Sequence, residues 1–270
     1  MNILIIGCGY IGIPLAKYFV QKGHFITATT HNPTKLKLLS KIAQKSLILK
    51  GSDSSEITHL LKENKSLIVT IAADSLEDYE EAYLKTAHSI KHAACHLDEP
   101  FMVIYTSRSI VYGDHEGRWV DEGATLNSTL DKSKVLIETE LTFESLKNLG
   151  VKVCILRLAE VYGPSFELSS KAQKIYPASA NFYTNMVHQE DVVRAIAYAH
   201  EHKLEGIFNI VDDDHPTRQK LFDKLLEKLN VEKVNWSAKP FLLNNGNRRE
   251  SNHKIKAEGF EFKHPHRVFE

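Results

Sequence analysis

Ile3-Leu4-Ile5-Ile6-Gly7-Cys8-Gly9-Tyr10-Ile11-Gly12 is the stretch that decides the fold. Four apolar residues lead into three glycines spaced G-x-G-x-x-G, and a helical pattern follows to Lys22. A strand, a glycine turn and a helix in that order give this spacing its meaning. Gly7 permits a tight turn, Gly9 lacks a Cβ so that backbone can approach a pyrophosphate, and Gly12 lets the helix pack on the strand. The helix N-terminus offers N–H groups and the positive end of its dipole to an anion. We therefore assign Gly7, Gly9, Tyr10, Ile11 and Gly12 to a dinucleotide-binding turn.

Outward from that turn, short apolar runs alternate with helical patterns. Strands are expected near Asn2–Ile6, Phe25–Ala28, Ser46–Leu49, Leu67–Ile71, Phe101–Tyr105, Val151–Leu156 and Ile207–Val211. Most are continuously apolar, as strands covered on both faces are. Asn32 with Pro33 reads as a cap and first residue of a helix reaching Lys45. Ser75-Leu76-Glu77-Asp78 reads as a capping box opening a helix to about Leu97. Asp191 and Thr217 are expected caps of two later helices. The alternation implies an α/β chain with a doubly wound parallel sheet and right-handed crossovers. Residues 1–164 with about 185–212 are expected to form the nucleotide-binding domain. About 165–184 with 213–270, including a helix near Arg218–Leu229, are expected to form a small substrate lobe.

The 270 residues carry 34 Lys and Arg against 34 Asp and Glu, so neither nucleic acid nor an anionic membrane is an expected partner. No apolar run is long enough for a transmembrane helix, and the glycine motif follows without a basic leader, so no signal peptide is expected. Three scattered cysteines, Cys8, Cys95 and Cys154, fit neither a disulfide framework nor a zinc pattern, and a cytoplasmic, reduced protein is expected. The state of assembly, monomer or homodimer, stays open.

The end of the second strand bears on which dinucleotide binds. An NAD site places a carboxylate there for the ribose 2′-OH. Here the position is Thr30, followed by His31, Asn32 and Lys35. No acid repels a 2′-phosphate, and His31 and Lys35 are donors for one. NADP is therefore expected over NAD.

Further motifs follow in order. Tyr105-Thr106-Ser107-Arg108-Ser109-Ile110-Val111-Tyr112-Gly113, Leu156-Arg157-Leu158-Ala159-Glu160-Val161-Tyr162-Gly163-Pro164, Val187-His188-Gln189-Glu190-Asp191 and Gly206-Ile207-Phe208-Asn209-Ile210-Val211-Asp212 together resemble the extended short-chain dehydrogenases, the NAD-dependent epimerase/dehydratase family. The resemblance covers nearly the whole chain. It implies a Rossmann fold, a small-molecule substrate, and cofactor contacts at Asp53, Ala72, Ala73, Thr106, Ser107 and Lys134. Read as a helix cap, Asp53 has a second explanation.

The resemblance also implies a tyrosine acting as acid/base, a lysine four residues later that lowers its pKa and holds the nicotinamide ribose, and a serine or threonine orienting the substrate. On a helix, i and i+4 share a face. The lysine falls at Lys134, but the tyrosine position is Leu130, which has no ionisable proton, and the serine/threonine position is Arg108. Glu160 stands where relatives using nucleotide sugars often carry a neutral residue near a diphosphate. Two readings follow. In one, the chain is an oxidoreductase or epimerase/dehydratase-like enzyme. Tyr112, Tyr162, Tyr183 or a water then supplies the proton, and Arg108, Glu160, Tyr183 and Arg249 line the substrate pocket. In the other, it binds NADP(H) without turnover, as a sensor or regulatory protein. Tyr18 and Lys22 share the Tyr–Lys spacing but lie on the helix after the glycine turn, and are set aside.

His88, His92 and His96 recur at i, i+4, i+8, with Cys95 beside them. Such spacing suits zinc or nickel. The polar-face reading is preferred, and no metal is expected. Asp212-Asp213-Asp214 reads as a solvated turn.

Overall fold

A computed structural model describes residues 1–73, 75–97, 99–164, 180–228 and 246–268 of the chain. All seven expected strands form: β1 (Asn2–Ile6), β2 (Phe25–Thr30), β3 (Lys45–Ile48), β4 (Ser66–Val69), β5 (Met102–Arg108), β7 (Lys152–Leu158) and β10 (Gly206–Ile210). They make one sheet in the order β10-β7-β5-β4-β1-β2-β3. The pairs from β5 to β3 are all parallel, with Ile5 opposite both Ala28 and Ile68. The chain divides into two compact units: 1–107 with 131–156 and 193–207, and 108–130 with 157–192 and 208–270. The division falls inside β5, β7 and β10. The ends of these strands and the loops that follow them group with the second unit, whereas the sequence pattern placed 108–130, 157–164, about 185–192 and 208–212 with the first.

In the first unit the strands are apolar because both faces are covered. Ile3, Leu4 and Ile5 are wholly buried, as are Leu15, Ala16 and Phe19 of α1 (Gly12–Gln21) and Ile57 and Leu60 of α3 (Ser54–Glu63). Burying a side chain the size of Phe19 contributes roughly 1.5–3 kcal/mol. In α2 (Pro33–Leu39) Pro33 opens the helix and Asn32 accepts from Thr34 N as its cap; residues 40–44 then return the chain to β3, so the helix stops short of Lys45. The Ser75–Asp78 capping box opens α4 (Leu76–Tyr79). A π-helical stretch, Glu80–Lys85, then separates it from α5 (Thr86–Ala94), where one continuous helix was expected. Gly51 presses there: a Cβ on it would sit 2.5 Å from Glu81 O, and Ser89 Oγ donates to Gly51 O at 2.8 Å. The widened turn makes room for that loop. α6 (Asp131–Ser145) buries Leu136 and Phe143, the latter stacked on Tyr105.

The second unit is held by short parallel pairs, β6 (Trp119–Val120) with β11 (Arg249–Glu250) and β8 (Glu160–Tyr162) with β9 (Met186–His188). Tyr162 and Met186 pack with Leu221, Phe222, Leu225 and Leu226 of α8 (Arg218–Lys228). Thr217 Oγ1 caps that helix through Lys220 N; the expected end at Leu229, like the sequence pattern over 165–179, lies outside the described residues. Asp191 does not cap α7 (Gln189–Glu201). It lies in the first turn, and its carboxylate accepts from Lys263 N (2.6 Å) and His264 N (2.8 Å). The loop at 212–214 is not a solvated turn either. Asp212 accepts from Arg267 Nε, Asp213 from Asn252 and Lys256, and Asp214 from Arg267 N and His266. Burial still raises the Asp212 carboxyl to about 7 despite Arg267. A short helix, α9 (His253–Ala257), follows β11.

His200 of α7 and His24 lie against Phe19 in the first unit, and the Nδ1 of each is buried without a hydrogen-bond partner among the described residues. Burial lowers the pKa of both from the ordinary 6.5, and the charge of His24 lowers that of His200 further. The unfolded chain therefore takes up protons first, so the contribution to stability is present above pH 6.5 and is lost as pH falls below it. His200→Gln, which keeps a donor for Ser66 Oγ, is expected to lose less stability than the parent between pH 7.5 and 5.0 in urea unfolding. Equal losses would contradict this.

Candidate functional site

The glycine turn of the first unit is shaped by contact on one side and by space on the other. Gly7 has φ +91°, and a Cβ on it would lie 3.0 Å from the backbone of Thr70 and Ile71. A Cβ on Gly12 would lie 2.8 Å from Thr70 Oγ1, which itself donates to Gly7 O at 3.0 Å. Both glycines are thus required by the chain's own packing. Gly9 differs. Its φ is not in the left-handed region, and a Cβ would meet nothing nearer than Lys35 Nζ at 3.9 Å. Nothing among the described residues demands glycine there. The first turn of α1 has neither a side-chain cap nor an acidic residue of its own to meet its positive end.

Lys35 reaches over this turn, and its charge is also felt by Cys8, whose thiol burial pushes up to about 12. No disulfide joins the cysteines. Thr30 ends β2 buried, with its Oγ1 accepting from Asn32 N, so the strand ends without a carboxylate. His31 is exposed, and its charge helps hold Asp78 low, after the hydrogen bonds from Ser75. Asp53 precedes α3, but its carboxylate turns back to accept from Lys50 N and makes no cap bond. Ala72 and Ala73 follow β4, Ala72 exposed and Ala73 half-buried.

Lys134 lies exposed in the first turn of α6, 2.9 Å from Asp131 in an i,i+3 ion pair, with Leu130 just before the helix. The hydroxyls of Thr106 and Ser107 point into the unit: Thr106 donates to Val69 O and Ser107 to buried Glu140 at 2.5 Å.

In the second unit, Tyr112 is wholly buried. Its ring lies under the guanidinium groups of Arg157 (4.9 Å) and Arg248 (5.9 Å). Its hydroxyl accepts from Arg157 Nη1 and donates to Asn209 Oδ1 at 2.6 Å, and burial raises it to about 12. That placement corrects its reading as a proton donor. Tyr162 is also buried and raised to about 12, with its hydroxyl accepting from Val268 N. Tyr183 is half-buried, with the Arg249 guanidinium 4.7 Å from its ring centre and 5.1 Å from that of Trp119, which is 56% exposed. Arg108 and Glu160 are exposed, and the Glu160 charge supports that of Arg218 against burial.

The sequence singled out Arg249 and missed Arg248. Arg248 is buried, pairs with fully buried Glu250 at 2.8 Å, and donates to Gly113 O and Ser109 O. His188, Glu190 and His264 converge closely enough for a metal ion. Their bonds favour a proton network instead: Glu190 N donates to His188 Nδ1, His264 Nε2 bonds Glu190 Oε2, and Lys263 Nζ lies 2.6 Å from Oε1.

A parallel sheet whose first strand–helix turn is glycine-built defines a nucleotide-binding protein of the Rossmann type. The chain belongs to the NAD dependent epimerase/dehydratase family, whose sequence profile matches residues 3–210. No curated protein matches it. Among solved structures it is similar to a functionally unknown conserved protein from Silicibacter pomeroyi, at 25% identity and TM-score 0.78, covering 98% of this chain and 94% of that one. A UDP-glucose 4-epimerase from Thermotoga maritima with UDP-glucose shares the fold at 20% identity and TM-score 0.83, covering 97% and 94%. So does a UDP-glucose 4-epimerase from Thermus thermophilus in complex with NAD, at 18% and 0.81, also covering 97% and 94%.

Removing Arg248 leaves Glu250 buried and unpaired, which costs about 3–5 kcal/mol. Arg248→Met is expected to lower stability on that scale in urea unfolding, and adding Glu250→Gln to recover most of it. An Arg248→Met protein as stable as the parent would contradict the assignment.

Proposed function

We propose that the chain binds NADP(H) at the Gly7–Gly12 turn and works as an oxidoreductase or epimerase/dehydratase-like enzyme with an altered reaction centre. The observation that carries the reading is Gly9, a glycine with room for a Cβ among the described residues, as the close approach of a ligand to the backbone requires. The backbone there and the uncapped start of α1 receive the pyrophosphate. Lys35, with no carboxylate at the end of β2, favours the 2′-phosphate of NADP, with His31 as a second donor. Asp53, Ala72, Ala73, Thr106 and Ser107 stay as further cofactor contacts, the last two through backbone because their hydroxyls are engaged. A bound nicotinamide supplies hydride transfer.

Lys134 holds the ribose once it exchanges Asp131 for it, an exchange with little to oppose it because exposed pairs are weak. Leu130 gives no proton, and with Tyr112 and Tyr162 buried, Tyr183 or a water remains as donor. Arg108, Glu160 and Arg249 recognise a small-molecule substrate whose charge differs from that of a nucleotide sugar, since Glu160 repels a diphosphate. We place the protein in the cytoplasm as a monomer or homodimer, without nucleic acid or membrane. A second reading, NADP(H) binding without turnover, is favoured by the same two buried tyrosines.

Calorimetry is expected to show NADP binding more tightly than NAD. Lys35→Ala is expected to weaken NADP about tenfold or more, by loss of a charge-assisted contact, and NAD little. Equal losses would remove Lys35 from the 2′-phosphate. Gly9→Ala is expected to fold normally and to bind neither well; unchanged binding would contradict the pyrophosphate placement. In a carbonyl and sugar panel, turnover lost in both Lys134→Ala and Tyr183→Phe supports the enzyme reading. Tight NADP binding with no turnover supports the second.

A further inference from the structure

His92 and His96 lie four residues apart at the C-terminal end of α5, both exposed, while Ile90, Ala93 and Ala94 face inward. Their rings sit 4.5 Å apart, tilted by 48°. His96 Nδ1 lies 2.7 Å from His92 O. A carbonyl only accepts, so Nδ1 carries the proton and the neutral ring keeps its lone pair on Nε2. This is the arrangement by which a backbone carbonyl fixes the tautomer of a metal-ligating histidine and raises its basicity. The sequence spacing alone did not distinguish a chelating pair from a polar face; the ring approach and the fixed tautomer add two features that a chelating pair requires. His88 lies in the first turn of α5 and Cys95 at its C-cap, and among the described residues no third ligand converges with this pair as tightly as in the His188 cluster. The surface hollow that His96 also lines carries Lys62 besides the ion pair of Lys65 and Glu99, so its described lining does not itself attract a cation and the two rings must supply the affinity.

We propose that His92 and His96 form a two-imidazole site for a borderline divalent cation of the Cu2+, Ni2+, Zn2+ series, with water completing the coordination. Imidazole pairs suit these ions and not Mg2+ or Ca2+, which take oxygen ligands. The order expected is Cu2+ above Ni2+ and Zn2+. Protons compete with the metal for both ring nitrogens, so binding weakens with acidity. The second imidazole acts at high effective concentration, which multiplies the affinity of one ring on the order of a hundredfold. The site is independent of the dinucleotide turn, so it stands or falls apart from the proposed function.

The test is Ni2+ titration by calorimetry of the full, tag-free chain at pH 7.5 and 5.5, repeated for H92A, H96A, H59A and H264A. His59 is an exposed histidine on α3 and serves as the comparison for a single ring. All but His264 are surface positions, so folding is preserved, and far-ultraviolet circular dichroism checks it. The expected result is one tight equivalent at pH 7.5, weakened at least tenfold in H92A and in H96A, unchanged in H59A and H264A, and lost at pH 5.5. A tight equivalent that survives both H92A and H96A, one lost only in H264A, or no tight equivalent at all, each overturns the proposal.

Discussion

Thr70, just past the end of β4, holds the glycine turn. Its hydroxyl donates to Gly7 O, and the same oxygen leaves no room for a Cβ on Gly12. Its backbone, with that of Ile71, leaves little room for one on Gly7. Two neighbouring parallel strands, β1 and β4, therefore fix where α1 begins and which way its N-terminus points. Close packing of this kind tolerates little change, since an added methyl has nowhere to go. Gly9 is left as the one glycine of the three that faces open space. In the proposed reading ligand chemistry, rather than fold, accounts for it.

The second unit depends on a different constraint, the burial of charge. Arg157, Arg248 and Arg267 are each almost wholly buried, and each spends its donors on backbone or side-chain oxygens. Asn209 links Tyr112 to Ser251, and its own N–H donates to Glu122. Each of the strand-end motifs at 105–113, 156–164 and 206–212 thus contributes to one polar network. Such a network specifies a single arrangement when satisfied and is costly when any member is lost. That accounts for the polar residues these motifs carry.

Much of the fold was legible because its signals are local or periodic. Seven apolar runs became seven strands, and Asn32, Pro33 and Ser75 act as their residue types predict. The π-helical turn at Glu80–Lys85 had no such signal, because the loop that presses on it is about thirty residues earlier in the chain. β6, β8, β9 and β11 are two or three residues long, too short for a period to register. Arg249 was chosen over Arg248 for want of a phase: on a strand, neighbours face opposite ways, and a shift of one residue exchanges inside for outside. Tyr112 misled for the opposite reason, since its motif is real but its phenol is part of the core. The strand, glycine turn and helix at 2–21 were legible in the sequence; that Gly9, of the three glycines, has room for a Cβ among the described residues needed coordinates.

The claim beneath this account is that the amides around Gly9 meet a dinucleotide pyrophosphate. Titrating 15N-labelled protein with NADP and following backbone amide resonances tests it directly. The account predicts that the largest shifts fall on Gly9 to Gly12, with Lys35 next. Shifts confined to other parts of the chain, or none at saturating NADP and NAD, would contradict it.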